Sequence, residues 1–550
     1  MHEIIECVPN FSEGRNPDLI KQITDEIELV EGVRLLNVDP GKATNRTVIT
    51  FVGNPEAVVE AAFRAIKKAG ELIDMSRHKG EHPRMGATDV CPLIPVANIT
   101  MEKTAEWAKK LGQRVGQELQ IPVYLYEAAQ PDKTRSNLSV IRAGEYEGFF
   151  EKIKRPEWKP DFGPGVFDSK RGATVIGARD FLVAYNVNLN TTSVRRANAI
   201  AFDVREAGRV KKEGNKTITV PGTLKSVKAI GWYIEEYGIA QISMNLTNIN
   251  ITPMHIAFDE VCAKANARGI RVTGSELVGL IPLKAMLDAG KYFLKKQKRS
   301  TGVSEKELIR IAILSMGLDE LGPFKPEERI IDYMLRDKTE NKLVSMSLSD
   351  FADETGSESP APGGGSISAY IGALGAALAA MVANLSSHKK GWDDRWEEFS
   401  SWAEKAEKYK TELIHLVDAD TRAFNKIMSA FSLPKASDKE KTERAKAIQE
   451  ATKLAIEIPF NVMKTASASM DVIRAMAETG NPNSVSDAGV AALCARSAVM
   501  GAFLNVRINA ASLEDKKIVD EIIRKGKEIE IKTIDLEKEI LKTVNEKIGI

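Results

Sequence analysis

Histidine is scarce in this chain: His2, His78, His82, His255, His388 and His415 are the full set. Two of them fall in one segment, Ser76-Arg77-His78-Lys79-Gly80-Glu81-His82-Pro83-Arg84-Met85-Gly86. Imidazole titrates near neutrality and suits proton transfer at an amine. Arg77, Lys79 and Arg84 are candidates for binding carboxylates. The same residues also describe an ordinary solvated basic loop. A metal pair is the weaker reading, because His-x-x-x-His joins ligands on a helix and Gly80 and Pro83 oppose a helix here.

Other polar segments sit at element ends. Val8 to Gly14, with Asn10 and Ser12, follows the first strand, and Asp39 to Arg46 joins the second and third. Taken alone, these residues suit turns and caps as well as a site. Farther on, Gly363, Gly364 and Gly365 lead straight into an Ala-rich helix. Their unobstructed N–H groups favour an anion or a close ligand backbone. No Gly-Lys-Ser/Thr follows, so this is not a nucleoside-triphosphate loop. Small residues after it (Gly372, Ala373, Gly375, Ala376) point to close helix packing. Asp418 and Asp420 lie two apart on a long amphipathic helix, so at most one faces inward. A carboxylate buried there has a raised pKa and serves as acid or base near neutrality; two solvated aspartates are the plainer reading.

These residues need positioning elements. Strand-like Glu3–Val8, Val33–Val38, Arg46–Val52 and Ala87–Val96 alternate with helical Pro17–Val30 and Pro55–Ile73, the latter opened by Asn54 and Pro55. The order β-α-β-β-α-β is the ferredoxin-like plan. A helix over Met101–Leu119 and a strand over Pro122–Tyr126 follow. The plan then recurs: strand Thr174–Asn188, helix Val194–Glu206, paired strands Lys225–Glu235 and Ala240–Asn250, helix Pro253–Ala267, and a strand from Arg271. From about residue 344 the pattern is all-α: Trp392–Phe431, Asp438–Ser469 capped by Ser437, Val485–Val506 and Asp515–Ile548. The predicted division is 1–180, 181–335, a polar linker 336–343, and 344–550. The fold class is therefore an α+β first half of two α/β subdomains plus a helical-bundle domain.

Lys plus Arg total 77 against 76 Asp plus Glu, so neither nucleic acid nor an anionic membrane is expected as the main partner. The four cysteines are scattered, which suits reduced thiols in the cytoplasm and disfavours a zinc site or disulfide framework. The most apolar stretch, Ile367–Leu385, is mostly Ala and Gly and reads as a bundle helix instead of a membrane span.

The blocks ECVPNFSEGR, ATNRTVITFVG, IDMSRHKGEHPRMGATDVCPLIPV, IRAGEYEG and FGPGVFDSKRGATVIGARDFL resemble glutamate formiminotransferase. SPAPGGGSISA, LVDADTRAF and SDAGVAAL resemble formiminotetrahydrofolate cyclodeaminase. In this order they resemble the fused formiminotransferase–cyclodeaminase family over nearly the whole chain. The resemblance implies a folate groove between two α/β subdomains, with tetrahydrofolate and formiminoglutamate as substrates and no metal or redox cofactor. It implies that His82 is the base for folate N5, with Asp39 as its orienting or charge-stabilising partner. It also implies folate contacts along Gly163, Pro164, Gly165, Val166, Phe167, Asp168, Ser169, Lys170, Arg171 and Gly172, with Asn10 as a further binding candidate. Asp420 matches the cyclodeaminase carboxylate, beside the ligand-binding candidates Gly363, Gly364 and Gly365. A homo-oligomer built from dimers, taking polyglutamylated folate, is implied as well. Two alternatives stay open. One is a formiminoglycine or formylglutamate donor with a cyclohydrolase-like helical domain; the other is a non-catalytic folate-binding oligomer.

Overall fold

Asn16 and Asn54 each accept backbone N–H groups at a helix start followed at once by proline, so both helices begin where the sequence demands. They cover one face of the first sheet in a computed structural model that describes residues 3–42, 44–80, 83–213, 216–335 and 343–549. The chain divides into two compact units, a mixed unit (Met1–Met286 with Ile313–Leu335) and a helical unit (Leu287–Ala312 with Arg336–Ile550). Most of the expected linker, 336–342, lies outside the described residues.

The mixed unit opens with β1 (Ile4–Cys7), β2 (Asn10–Phe11), α1 (Pro17–Glu28), β3 (Val33–Gly41), β4 (Arg46–Gly53), α2 (Pro55–Leu72), β5 (Thr88–Ala97), α3 (Met101–Glu118) and β6 (Val123–Glu127). Short helices α4 (Leu138–Ile141) and α5 (Glu145–Lys152) precede β7 (Thr174–Ala178). In the sheet, β1 and β2 share one position between β4 and β5, β3 lies outside β4, and β7 and β6 extend beyond β5 in parallel. Ile5, Cys7, Ile49, Phe51, Cys91 and Leu93 fill the core under the helices. Their alternate neighbours, Glu6, Arg46, Val48 and Val52, therefore face the other way.

The strand expected over Thr174–Asn188 is two strands: β7 completes the first sheet, and β8 (Val183–Leu189) starts the second. Then come α6 (Val194–Val204), a hairpin of β9 (Arg209–Glu213) and β10 (Lys216–Val220), β11 (Val227–Ile234), β12 (Ile239–Leu246), α7 (Met254–Asn266) and β13 (Val272–Val278). The second sheet runs β11-β12-β8-β13, the counterpart of β3-β4-β1-β5 in the first. Its polar face carries a cross-strand network. Trp232 Nε1 donates to Gln241 Oε1 (3.0 Å), Gln241 Nε2 to Asn188 Oδ1 (2.9 Å), and Asn186 Nδ2 to Glu276 Oε2 (3.0 Å). Leu36 and Val52 of the first sheet pack with Leu280 and Ile331, which tie the two α/β parts together.

Helices α8 (Leu283–Lys296) and α9 (Glu305–Met316) precede α10 (Pro326–Arg329) and α11 (Ile331–Leu335). The helical unit continues with α12 (Leu348–Thr355), α13 (Gly364–Ser387), α14 (Trp396–Phe431), α15 (Asp438–Thr479), α16 (Val485–Ala510) and α17 (Lys516–Ile548). Residues 287–312, ahead of the expected linker, cluster with these helices. Thr301 N donates to Ser400 Oγ (3.0 Å) and Asn384 Nδ2 to the Gly302 carbonyl (2.8 Å), where a side chain on Gly302 would strike Ala403. α15 runs ten residues past its expected end. Ser467 and Ser469 are buried, their hydroxyls bonded to Thr533 and the Ala466 carbonyl, and Met470, Ile473 and Met476 keep the inward face apolar. Gly372 and Gly375 bring α13 close to Ala498, Ala491 and Cys494 of α16.

Candidate functional sites

In the mixed unit, three loops and two strands converge. Asn45, in the left-handed region at φ 47°, accepts Gly14 N–H at Oδ1 (3.1 Å) and donates through Nδ2 to the Lys79 carbonyl (3.0 Å). A side chain on Gly80 would strike the Thr44 carbonyl, so the basic loop lies flat on the β3–β4 turn. Ser12 Oγ donates to the Gly86 carbonyl (2.8 Å) at the loop's far end. Asn10 lies between Val48 and Val90 on neighbouring strands, donates to the Val8 carbonyl and receives Arg46 Nη2.

His82 lies outside the described residues, as does Glu81. His78 is placed, and it is occupied at both nitrogens. Nε2 meets the Asn45 carbonyl at 2.8 Å, which only accepts, so this nitrogen carries the proton; Nδ1 receives Arg84 Nε at 3.3 Å. Burial lowers the His78 pKa. Arg84, expected as a carboxylate-binding candidate, is internal: Glu147 holds it at 2.6 and 2.8 Å and Glu145 at 3.3 Å, which raises its pKa. Arg77 is exposed, and among the described residues it pairs with Asp74 at 3.7 Å.

Asp39 lies on β3 opposite Val48. Burial pushes its carboxyl up; Arg329 opposes, Glu276 adds to the rise and Arg46 opposes. Asp39 therefore shares its surroundings with Glu276 of the second sheet's polar network. Glu6, absent from the sequence-based candidates, is pushed up to about 7 by burial, against the pull of Arg179. A charged residue inside the apolar strand Ile-Ile-Glu-Cys was the available signal.

The stretch Gly163–Gly172 is brought to the same loops. Met75 N donates to the Lys170 carbonyl (2.9 Å), Ala87 N to the Arg171 carbonyl (2.8 Å), and Gly86 bridges Gly172. Gly163 and Gly172 take φ of +83° and +68°, which side-chain-bearing residues rarely adopt. Phe167 packs on Tyr146 and Phe150. Asp168 pairs with Arg171, Arg171 Nη1 reaches the Leu119 carbonyl (2.6 Å) and Lys170 Nζ the Glu71 carbonyl (3.0 Å), so these charges serve the loop itself. The Ser169 carbonyl accepts Tyr146 OH, Pro164 is half-buried, and Gly165 and Val166 are open to solvent.

In the helical unit the two aspartates separate cleanly. Asp418 is buried and accepts the Leu343 and Val344 N–H groups at 2.9 and 3.3 Å, a structural clamp. Asp420 faces the start of α13, where a side chain on Gly365 would strike its carboxylate and Ser366 Oγ stands 3.4 Å away. Burial raises the Asp420 pKa, and the Ser366 N–H and hydroxyl oppose. Gly363 caps α13, and Gly364 neighbours the Asn505 side chain. The structure thus brings Asp420 and the glycine turn together: a carboxylate with a raised pKa beside a helix start.

Comparison with known proteins covers both units. Family models match residues 4–179 (formiminotransferase domain, N-terminal subdomain), 184–336 (formiminotransferase domain) and 347–528 (formiminotransferase-cyclodeaminase). The chain is 45% identical to the formimidoyltransferase-cyclodeaminase of Gallus gallus over 522 residues, covering 95% of each. Its first part is 46% identical to a glutamate formimidoyltransferase of Thermoplasma acidophilum over 294 residues, 53% of this chain and 92% of that one. Its last part is 36% identical to a methenyltetrahydrofolate cyclohydrolase of Methylorubrum extorquens over 203 residues, 37% of this chain and 98% of that one. A mixed α/β half, a helical half and this end-to-end likeness lead to one conclusion: the chain belongs to the formimidoyltransferase-cyclodeaminase family.

Proposed function

We propose that the protein moves a formimino group from N-formimino-L-glutamate to tetrahydrofolate, then closes 5-formimino-tetrahydrofolate to 5,10-methenyl-tetrahydrofolate with release of ammonia. In the first step folate N5 attacks the formimino carbon, a base takes the N5 proton, and glutamate leaves as the protonated amine. His82 is assigned as that base from its sequence block, and the occupied ring of His78 supports choosing the other histidine of the loop. Asp39, between the two α/β parts and holding its proton more tightly than an ordinary aspartate, is its proposed partner. The pterin lies between two ferredoxin-like subdomains with Asn10 and the open part of Gly163–Gly172 near it, a reading supported by the shared strand order of the two sheets.

In the second step N10 attacks the same carbon. Asp420 takes the N10 proton and returns it to the departing amino group, which leaves as ammonia. The observation that carries this reading is the raised pKa of a carboxylate seated on the glycine turn of α13. A cyclohydrolase reading of the helical unit draws on the Methylorubrum relative. Both reactions work on the carbon bridging N5 and N10, and likeness over the full chain favours the deaminating one.

We also propose a homo-oligomer. α13 exposes Leu374, Met381 and Leu385, and α16 exposes Val490, Leu493, Met500, Leu504 and Ile508, each set at helical spacing on one side. Both helices are long and apolar enough to cross a membrane, but α13 is 61% buried over its most apolar stretch, and a second copy is the occupant we assign to what remains. The cytoplasm as compartment and the division at 1–180, 181–335 and 344–550 belong to the same proposal, supported by four free thiols and by the family-model limits.

The test is an ultraviolet assay of methenyl-tetrahydrofolate with formiminoglutamate as donor. His82→Ala makes no formimino-folate, and Asp420→Ala accumulates formimino-folate without closing the ring. Wild-type turnover in both variants would overturn the assignments.

A further inference from the structure

We propose that Arg46 is a carboxylate receptor in the transferase half, and that it recognises the amino-acid donor. The proposal rests on the transfer reaction above and names the group that selects its donor. Arg46 opens β4 on the strand face opposite Ile49 and Phe51, which lie in the core beneath the helices. Val52, on the same face as Arg46, packs with Leu280 and Ile331, so this face looks toward the second α/β part.

The guanidinium has no carboxylate partner among the described residues. Its hydrogen bond runs from Nη2 to Oδ1 of Asn10, a neutral amide, and its Nε is buried without an acceptor. Asp89 is the natural candidate, but both its oxygens are taken by Arg142 and one also by Met85 N–H. Arg84 is spent on Glu145 and Glu147 and Arg171 on Asp168, while Arg329 and Arg179 donate to the Gly279 and Asp180 carbonyls. Burial pulls Arg46 down to about 10, with Asp89 and Asp39 acting only through space. A desolvated cation held by one amide is costly unless a ligand completes it. The planar fork of arginine fits a carboxylate through two parallel hydrogen bonds.

Two carboxylate sources exist, the amino-acid donor and the glutamate tail of folate. The donor is favoured because Arg46 lies on the sheet face shared with Asp39 and against Asn10, beside the reacting groups; the folate tail extends away from N5. The donor's carboxylate is unchanged by the reaction, so its binding acts on KM more than on kcat.

The experiment compares full-length wild type, Arg46→Gln and Arg46→Lys in the transferase assay, varying formiminoglutamate and monoglutamyl tetrahydrofolate separately. The same preparations are given 5-formimino-tetrahydrofolate, and unchanged ring closure shows that the chain is folded. Wild-type activity establishes the underlying reaction, and its absence defeats that reading before Arg46 is tested. Arg46→Gln should raise the donor KM by at least about 30-fold, the lower end for removing one member of a buried charge pair, with the folate KM within about threefold. Arg46→Lys should recover part of the loss. Wild type should discriminate against a donor whose carboxylates are amidated, and Arg46→Gln should not. A rise in folate KM alone assigns the receptor to the folate tail and overturns the proposal, as does an unchanged donor KM. An equal fall in kcat with both KM values unchanged marks a merely structural arginine and overturns it too.

Discussion

The two halves handle charge in opposite ways. The mixed unit spreads polar groups over two sheet faces and three loops, with Arg329, Glu276 and Arg46 all acting on Asp39 through space. The helical unit brings one carboxylate, Asp420, against one glycine turn, while its neighbour Asp418 does structural work. The proposed chemistry explains the difference. Transfer joins two molecules, so the site must recognise both and hold them in register. Ring closure joins two atoms of one molecule already bound, so a single positioned proton carrier suffices.

The comparison breaks most readily at Gly365. If the helical site depends on one placement, Gly365→Ala should move the Asp420 carboxylate, because a methyl there collides with it. We expect ring closure to fall by on the order of 100-fold, the scale of a 1 Å misplacement, with transferase turnover unchanged. A variant that closes the ring at the wild-type rate would show the helical site to be as tolerant as a dispersed one.

Glu6→Gln sharpens the other side. Burial raises Glu6 from 4.5 to about 7, so its ionised form destabilises the fold by roughly 3 kcal/mol at most. The sign follows from the direction: folding favours the protonated carboxyl, so stability falls as pH rises from 4.5 toward 7. Glu6→Gln should therefore raise the unfolding midpoint of the mixed unit fully above pH 7, and not at all below about pH 4.5. Loss of transferase activity together with that gain would make Glu6 a functional group kept at a cost in stability. A midpoint difference that does not vary with pH would remove the buried-charge account.

How much was legible beforehand follows the same divide. Choosing Asp420 over Asp418 as the cyclodeaminase carboxylate needed the family likeness, because helical spacing alone left the two equal. The structure separates them by the Leu343 and Val344 N–H groups, which arrive from 75 and 74 residues away. Paired strands around Gly238 and caps at Asn54 and Ser437 were plain, since turn and cap chemistry is local. The polar network of Asn186, Gln241 and Glu276 was not, because only strand order tells which face of a sheet meets another sheet. The hairpin of β9 and β10 drew no prediction; its strands are short, and β9 is mostly charged.

The smallest effect compares two helix caps. Asn54 caps α2, whose first residues Pro55, Val58 and Val59 are buried on the sheet. Ser437 caps α15 through a reciprocal box with Glu440, but residues 438–443 stand almost wholly in solvent. Each cap is worth about 1 kcal/mol by type. Where the first turn is buried, its loss must be carried by the whole unit, so Asn54→Ala should lower the global stability of the mixed unit by about that amount. Where the turn is exposed, the helix can fray without unpacking anything. Ser437→Ala should therefore speed amide exchange over Asp438–Lys441 and leave the slow-exchanging stretch around Val462–Met476 unchanged. Equal global losses in both variants would mean that α15 unfolds from its exposed end as one piece, and that the helical half is no more locally organised than the mixed one.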